Sequence, residues 1–121
     1  VYVRNNGAAF NLFAGFEEIL IFFAAVIILI CIFYTLLYKL YISDKFLLLL
    51  SLFCAGILGN AYERYAFGYV TDYIKINFLN FPVFNIYDIF ITVGAFLIAF
   101  IVIYDKRKEK RRKRKKEIRL T

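Results

Sequence analysis

Histidine, tryptophan and methionine are absent from this 121-residue sequence, and it has one proline and two cysteines. Each absence closes a chemical route. Without histidine there is no Ser-His-Asp or Cys-His catalysis and no His-ligated metal site. Cys31 and Cys54 both lie inside apolar runs, where a thiol behaves as a small hydrophobe, so free cysteines are expected and a disulfide is not. Neither a metal nor a cofactor is expected. Positive charge is also scarce over most of the chain. Eleven of the sixteen Lys and Arg residues fall between Lys106 and Arg119, and the remaining five face seven acids, so the formal +7 belongs to the tail.

Apolar side chains are abundant instead. They make up 63% of the chain, where a soluble domain carries nearer half. Three runs stand out: "LIFFAAVIILICIFYTLL" from Leu20, "FLLLLSLFCAGILGNAYERYAF" from Phe46 and "NIYDIFITVGAFLIAFIVIY" from Asn85. A hydrocarbon core is crossed by about 20 residues of helix. The expected architecture is an all-α integral membrane protein with three transmembrane helices, over about 19–38, 46–66 and 85–104. Residues 1–105 form the membrane-embedded domain, and 106–121 form a basic tail, expected to be disordered because like charges repel.

Basic residues set the orientation. The tail stays cytoplasmic by the positive-inside rule, as does the short "YKLYISDK" turn with Lys39 and Lys45. The first helix then enters from outside, and a chain that starts outside without Met predicts a further helix upstream of Val1. The same arrangement puts the Gly68–Phe84 connection outside, with Asp72 and Asp88 near one membrane face. Within it Ile74, Ile76 and Phe78 alternate with Tyr73, Lys75 and Asn77, the period of a half-buried extended segment at the membrane surface.

Carboxylates near lipid are costly and are usually kept for function. Two held close together cannot both ionise cheaply, so they share a proton and can act as an acid and base on water and a peptide bond. The structural alternative is plain: Asn85 is a good N-cap, Asp88 three residues later completes a capping box, and Asp72 is then an ordinary turn acid.

Four blocks point further. "RNNGAAF" (Arg4 to Phe10), "GILGNAYER" (Gly56 to Arg64), "VTDYI" (Val70 to Ile74) and "FNIYDIFITVG" (Phe84 to Gly94) resemble, in order, the blocks of the lipoprotein signal peptidase (signal peptidase II) family. That resemblance implies four transmembrane helices in the full-length fold, with a small extracytoplasmic β portion. It implies a membrane aspartic endopeptidase of the bacterial cytoplasmic membrane, cutting prolipoproteins just before the diacylglyceryl-modified cysteine. By it Asp72 and Asp88 are the catalytic pair, and Asn5, Gly56, Asn60, Arg64 and Asn85 line the site and hold substrate. It also implies binding of a globomycin-type cyclic peptide. A monomer is expected, with anionic headgroups rather than nucleic acid as the partner of the basic tail. Departures from the family pattern are Glu63 in place of Asp, Tyr87 in place of a small Ala, and Ile89 in place of a frequent Ser. The competing reading is a non-catalytic scaffold, a transporter subunit or an inactive member of the family.

Overall fold

A computed structural model describes residues 2–8 and 12–121; Ala9 and Phe10 of the first sequence block lie outside the described residues. Helix α1 (Glu17–Tyr38) opens with two glutamates in its first turn, where the positive end of the helix dipole favours them. It closes in a short turn in which Tyr41 and Ile42 both donate their backbone N–H to the Tyr38 carbonyl. Ser43 then starts α2 (Asp44–Phe67), its hydroxyl accepting from the Phe46 N–H at 3.2 Å. Gly68 ends α2 at φ 77°, a left-handed conformation that lets its N–H reach the Arg64 carbonyl. Strand β2 (Val70–Asp72) follows, and Asn85 caps α3 (Ile86–Leu120).

β2 pairs antiparallel with β1 (Val3–Asn5), in the register Val3 with Asp72, Arg4 with Thr71 and Asn5 with Val70. This pairing joins the start of the chain to the α2–α3 connection. The guanidinium of Arg4 lies over the Tyr69 ring, 4.8 Å from its centroid, which helps seat β1. The extended segment expected over Ile74–Phe78 is shorter than its alternation suggests. Ile74 bridges Phe84, but the chain then turns back at Asn77–Leu79 and Phe78 is 87% exposed. A strand persists only where a partner accepts its backbone bonds, and β1 offers three residues.

All three helices are long and apolar enough to cross a membrane, and the chain is an integral membrane protein. Its burial pattern is inverted relative to a soluble domain. Large apolar side chains such as Phe22, Phe33, Leu48, Phe96 and Phe100 point outward, while Asn60, Asp72 and Asn85 are among the most buried residues. Lipid covers the former, and the interior holds these polar groups beside Ala24, Ile57 and Val70. The helical spans run slightly longer than read from sequence, and α3 continues unbroken through the basic stretch to Leu120. The expectation of a disordered tail is corrected here. Lys, Arg and Glu are good helix formers, and a helix already nucleated in the membrane extends without a new nucleation cost.

α2 packs against both α1 and α3, and the α2–α3 seam depends on glycine. A Cβ on Gly56 would lie 2.6 Å from the Tyr87 carbonyl oxygen, and one on Gly94 would lie 3.0 Å from the Phe53 Cβ. At Gly59 the side chain of Tyr87 itself occupies the space a Cβ would need. Tyr87 is thus accommodated by Gly59 on the facing helix. Gly59→Val should destabilise the chain by about 1–3 kcal/mol through overpacking. Adding Tyr87→Ala should recover most of that loss. Both are measurable by heat or SDS unfolding in micelles.

Candidate active site

The C-terminal end of α2, the N-terminal end of α3 and strand β2 meet at one end of the bundle. The close approach allowed by Gly56 and Gly59 sets Asn60 of α2 against the cap of α3. The Asn85 side-chain NH2 donates to the Asn60 Oδ1 at 3.0 Å and to the Asp72 Oδ1 at 3.1 Å, with the Thr71 carbonyl at 3.5 Å. The Asn60 Nδ2 in turn donates to the Asp88 Oδ1 at 3.1 Å. Asp72, Asn85, Asn60 and Asp88 therefore form one continuous line of side-chain hydrogen bonds. The two carboxylates stand at its ends.

Both asparagines are fixed by this line. Asn85 is 1% exposed, and its Oδ1 accepts the Asp88 N–H at 3.0 Å while its own N–H reaches the Asp88 Oδ2 at 3.0 Å. This is the capping box expected from sequence. The capping reading and the site reading of Asp88 therefore coincide: one oxygen closes the cap, and the other accepts from Asn60. From the opposite side, the Asn5 Nδ2 donates to the Asp72 Oδ2 at 3.1 Å. The same Asn5 holds the following turn through the Gly7 N–H and the Ala8 carbonyl.

Asp72 is 4% exposed. Burial pushes its carboxyl up from 3.8 to about 6. The hydrogen bond from Asn5 opposes that shift, the negative charge of Asp88 adds to it, Arg64 opposes it and Glu63 adds to it. The carboxyl is thus poised to keep a proton well above the usual range for aspartate.

Arg64 sits one helical turn after Asn60 and donates from Nη2 to the Gly7 carbonyl at 3.0 Å. Its Nε is buried and has no partner among the described residues, leaving a donor beside the site. A cavity of about 650 Å³ opens here, lined by Asn5, Asn60, Arg64, Asp72 and Asp88 at its polar end. Leu20, Phe23, Ala24 and Ile27 of α1 and Ile89 and Val93 of α3 form apolar walls.

Six of the seven residues singled out in the sequence are brought together here. Gly56 is placed differently, in the α2–α3 seam against Tyr87 and Ile91, where it controls how closely Asn60 approaches α3. Two contacts had no sequence signal. The Glu63 carboxylate accepts the Thr71 N–H at 3.1 Å, tying the end of α2 to β2. The Tyr73 hydroxyl accepts the Ile86 N–H at 3.3 Å, tying the residue after Asp72 to the first turn of α3. Both join segments whose proximity only the folded chain reveals.

Comparisons with known proteins converge on one family. A model of the family described as "Signal peptidase (SPase) II" matches residues 1–104. The chain is 32% identical over 105 residues to a lipoprotein signal peptidase of Lactococcus lactis subsp. lactis, covering 87% of this chain and 69% of that protein. To the lipoprotein signal peptidase of Enterococcus faecalis it is 35% identical over 109 residues, covering 90% of this chain and 67% of that protein. Among solved structures, a bacterial membrane enzyme determined by the in meso method at 2.3 Å superposes with a TM-score of 0.76 at 30% identity, over 88% of this chain and 65% of that one. The chain thus spans about two thirds of the length of these proteins. With a family model matching residues 1–104 and lipoprotein signal peptidases more than 30% identical to it, the chain belongs to the signal peptidase II family.

Proposed function

We propose that this chain is a membrane aspartic endopeptidase that removes signal peptides from prolipoproteins, cutting just before the diacylglyceryl-modified cysteine, with Asp72 and Asp88 as the catalytic pair. The observation that carries the reading is the line Asp72–Asn85–Asn60–Asp88 at the polar end of an apolar-walled cavity. With the basic C-terminus cytoplasmic, this end of the bundle faces the extracytoplasmic side of the bacterial cytoplasmic membrane. Acyl chains on the substrate cysteine would lodge between α1 and α3. That would bring the scissile bond to the carboxylates and make the attack effectively intramolecular.

The chemistry needs no metal. Asp72, pushed toward neutrality by burial, is the partner that carries the proton. Asp88 takes a proton from a water molecule, and the hydroxide attacks the scissile carbonyl carbon. Asp72 gives its proton to the carbonyl oxygen as the tetrahedral intermediate forms. As the intermediate collapses, Asp88 protonates the departing amine of the cysteine and Asp72 recovers its proton. Asn85 and Asn60 hold the two carboxylates in register, and the free Nε of Arg64 is placed to receive an oxygen of the peptide or of the lipid linkage.

Asp72→Asn and Asp88→Asn should each lower processing of a lipid-modified prolipoprotein by about a thousandfold, while the protein still inserts in the membrane. Processing is scored by the gel shift of the released signal peptide, and insertion by membrane fractionation. Wild-type processing in either variant would instead favour the non-catalytic reading, in which both acids only cap and brace.

The pH dependence follows from Asp72. Its carboxyl is raised, so the competent protonated form is lost as pH climbs past about 6. The kcat/KM profile should therefore show a descending limb near that value. Asn5 opposes the shift by hydrogen bonding to the ionised carboxylate, so Asn5→Ala should move the limb to higher pH. An unmoved limb would assign that titration to another group.

A further inference from the structure

Helix α3 does not end where the lipid ends. Its apolar part, residues 86–104, is about 28 Å long, which matches a hydrocarbon core of about 30 Å. The helix then continues to Leu120, adding about 24 Å. The match to the family stops at residue 104, so this extension is no part of the shared domain. No glycine or proline follows Gly94. Sharp kinks form mostly at such residues, so the extension continues the axis of the span into the cytoplasm.

Its charge is distributed in an unusual way for a segment next to a membrane. Eleven cations accompany two acids between Lys106 and Arg119, and every residue there is exposed. At about 100° per residue the cations occupy all sides of the helix: Lys106, Lys110 and Arg114 lie on one side, and Lys108, Lys115 and Arg119 on the opposite one. Among the described residues one ion pair offsets them, Glu109 with Lys113 at 3.1 Å. Like charges four apart, such as Lys108 with Arg112 and Arg111 with Lys115, repel along the helix.

A bilayer surface matches this rod poorly. A helix lying in the interface needs an apolar face, and this one has none. Headgroup attraction fades within about 8 Å at physiological salt, and the headgroup layer is itself about 5–7 Å thick, so the last turns stand beyond its reach. A nucleic-acid duplex matches it well. A B-form major groove is about 12 Å wide and admits a helix about 10–12 Å across, with a row of phosphates on either side. Cations on opposite sides of the rod then meet both rows at once, and the repulsion along the helix is relieved.

We propose that the Lys106–Arg119 extension of α3 is a docking rod for double-helical nucleic acid, held through the phosphate backbone without regard to sequence. The proposal takes from the previous section only the cytoplasmic orientation of the C-terminus. It reverses the sequence-based expectation of a lipid-bound tail without nucleic acid. That expectation assumed a disordered segment free to lie flat, whereas the extension is helical and charged all round.

The test uses the full chain in phosphatidylcholine nanodiscs and fluorescence anisotropy with labelled 20-base-pair RNA and DNA duplexes. The DNA duplex should bind, more tightly than the RNA duplex, whose A-form major groove is too narrow for a helix. Its affinity should fall by about a thousandfold between 50 and 200 mM salt if six phosphates are neutralised. Replacing Arg111, Arg112, Lys113, Arg114, Lys115 and Lys116 with Gln should abolish duplex binding and leave prolipoprotein processing unchanged. Discs containing anionic phosphatidylglycerol should still bind duplex. Three results would each overturn the proposal: no duplex binding in neutral discs, undiminished binding after the six substitutions, or loss of binding once anionic lipid is present. The last would assign the rod to headgroups. Binding of DNA alone supports the groove fit, and binding of RNA alone is a fourth result that would overturn it.

Discussion

Everything at the working end of this molecule depends on one buried amide. Asn85 gives its side-chain NH2 to Asn60 and Asp72 and accepts the Asp88 N–H, so a single side chain links α2, β2 and α3. An amide at 1% exposure with an unmet donor or acceptor would cost about 1–3 kcal/mol. Here each of its polar atoms is engaged, and its bonds reach three different elements. The bonds that satisfy Asn85 are therefore the same bonds that fix where the two carboxylates stand.

This arrangement needs the helices to come close together, and the glycines of the seam make that possible. Lipid offers no hydrophobic drive for one apolar helix to prefer another, so association rests on close packing and on polar contacts. Gly56 and Gly59 admit the backbone and ring of Tyr87, and Gly94 admits Phe53. The seam brings Asn60 within reach of α3, and Asn60 then reinforces the seam by its bonds to Asn85 and Asp88. Packing and polar network are mutually dependent, and neither would place Asp88 alone.

Much of this was legible in the sequence, for identifiable reasons. The three spans declare themselves through uninterrupted apolar runs, and the box at Asn85 and Asp88 through its fixed three-residue spacing. Asn5, Asn60, Arg64, Asp72 and Asp88 could be grouped because they sit in sequence blocks, although nothing local says that they share a cavity. What stayed hidden depends on segments distant in sequence. The pairing of Val3–Asn5 with Val70–Asp72 leaves no periodic trace in three residues. The bonds from Glu63 to Thr71 and from Tyr73 to Ile86 exist only once α2 and α3 have met. Gly56 could be read as a small residue beside a helix or beside a ligand, and only the position of Tyr87 and Ile91 decides for the helix. The tail's order is hidden because its like charges favour disorder locally, while the helix already formed upstream carries it on to Leu120.

Burial holds a proton on Asp72 at a pH where an ordinary aspartate has lost it, against the pull of the Asn5 hydrogen bond. Isotope-edited infrared spectroscopy of the chain with labelled aspartate carboxyls tests this directly in lipid. A protonated-carboxyl C=O band should disappear with a midpoint near 6 and be missing from a chain in which Asp72 is replaced by Asn. A band that vanishes near the ordinary value of 3.8, or one that survives the replacement unchanged, would contradict it.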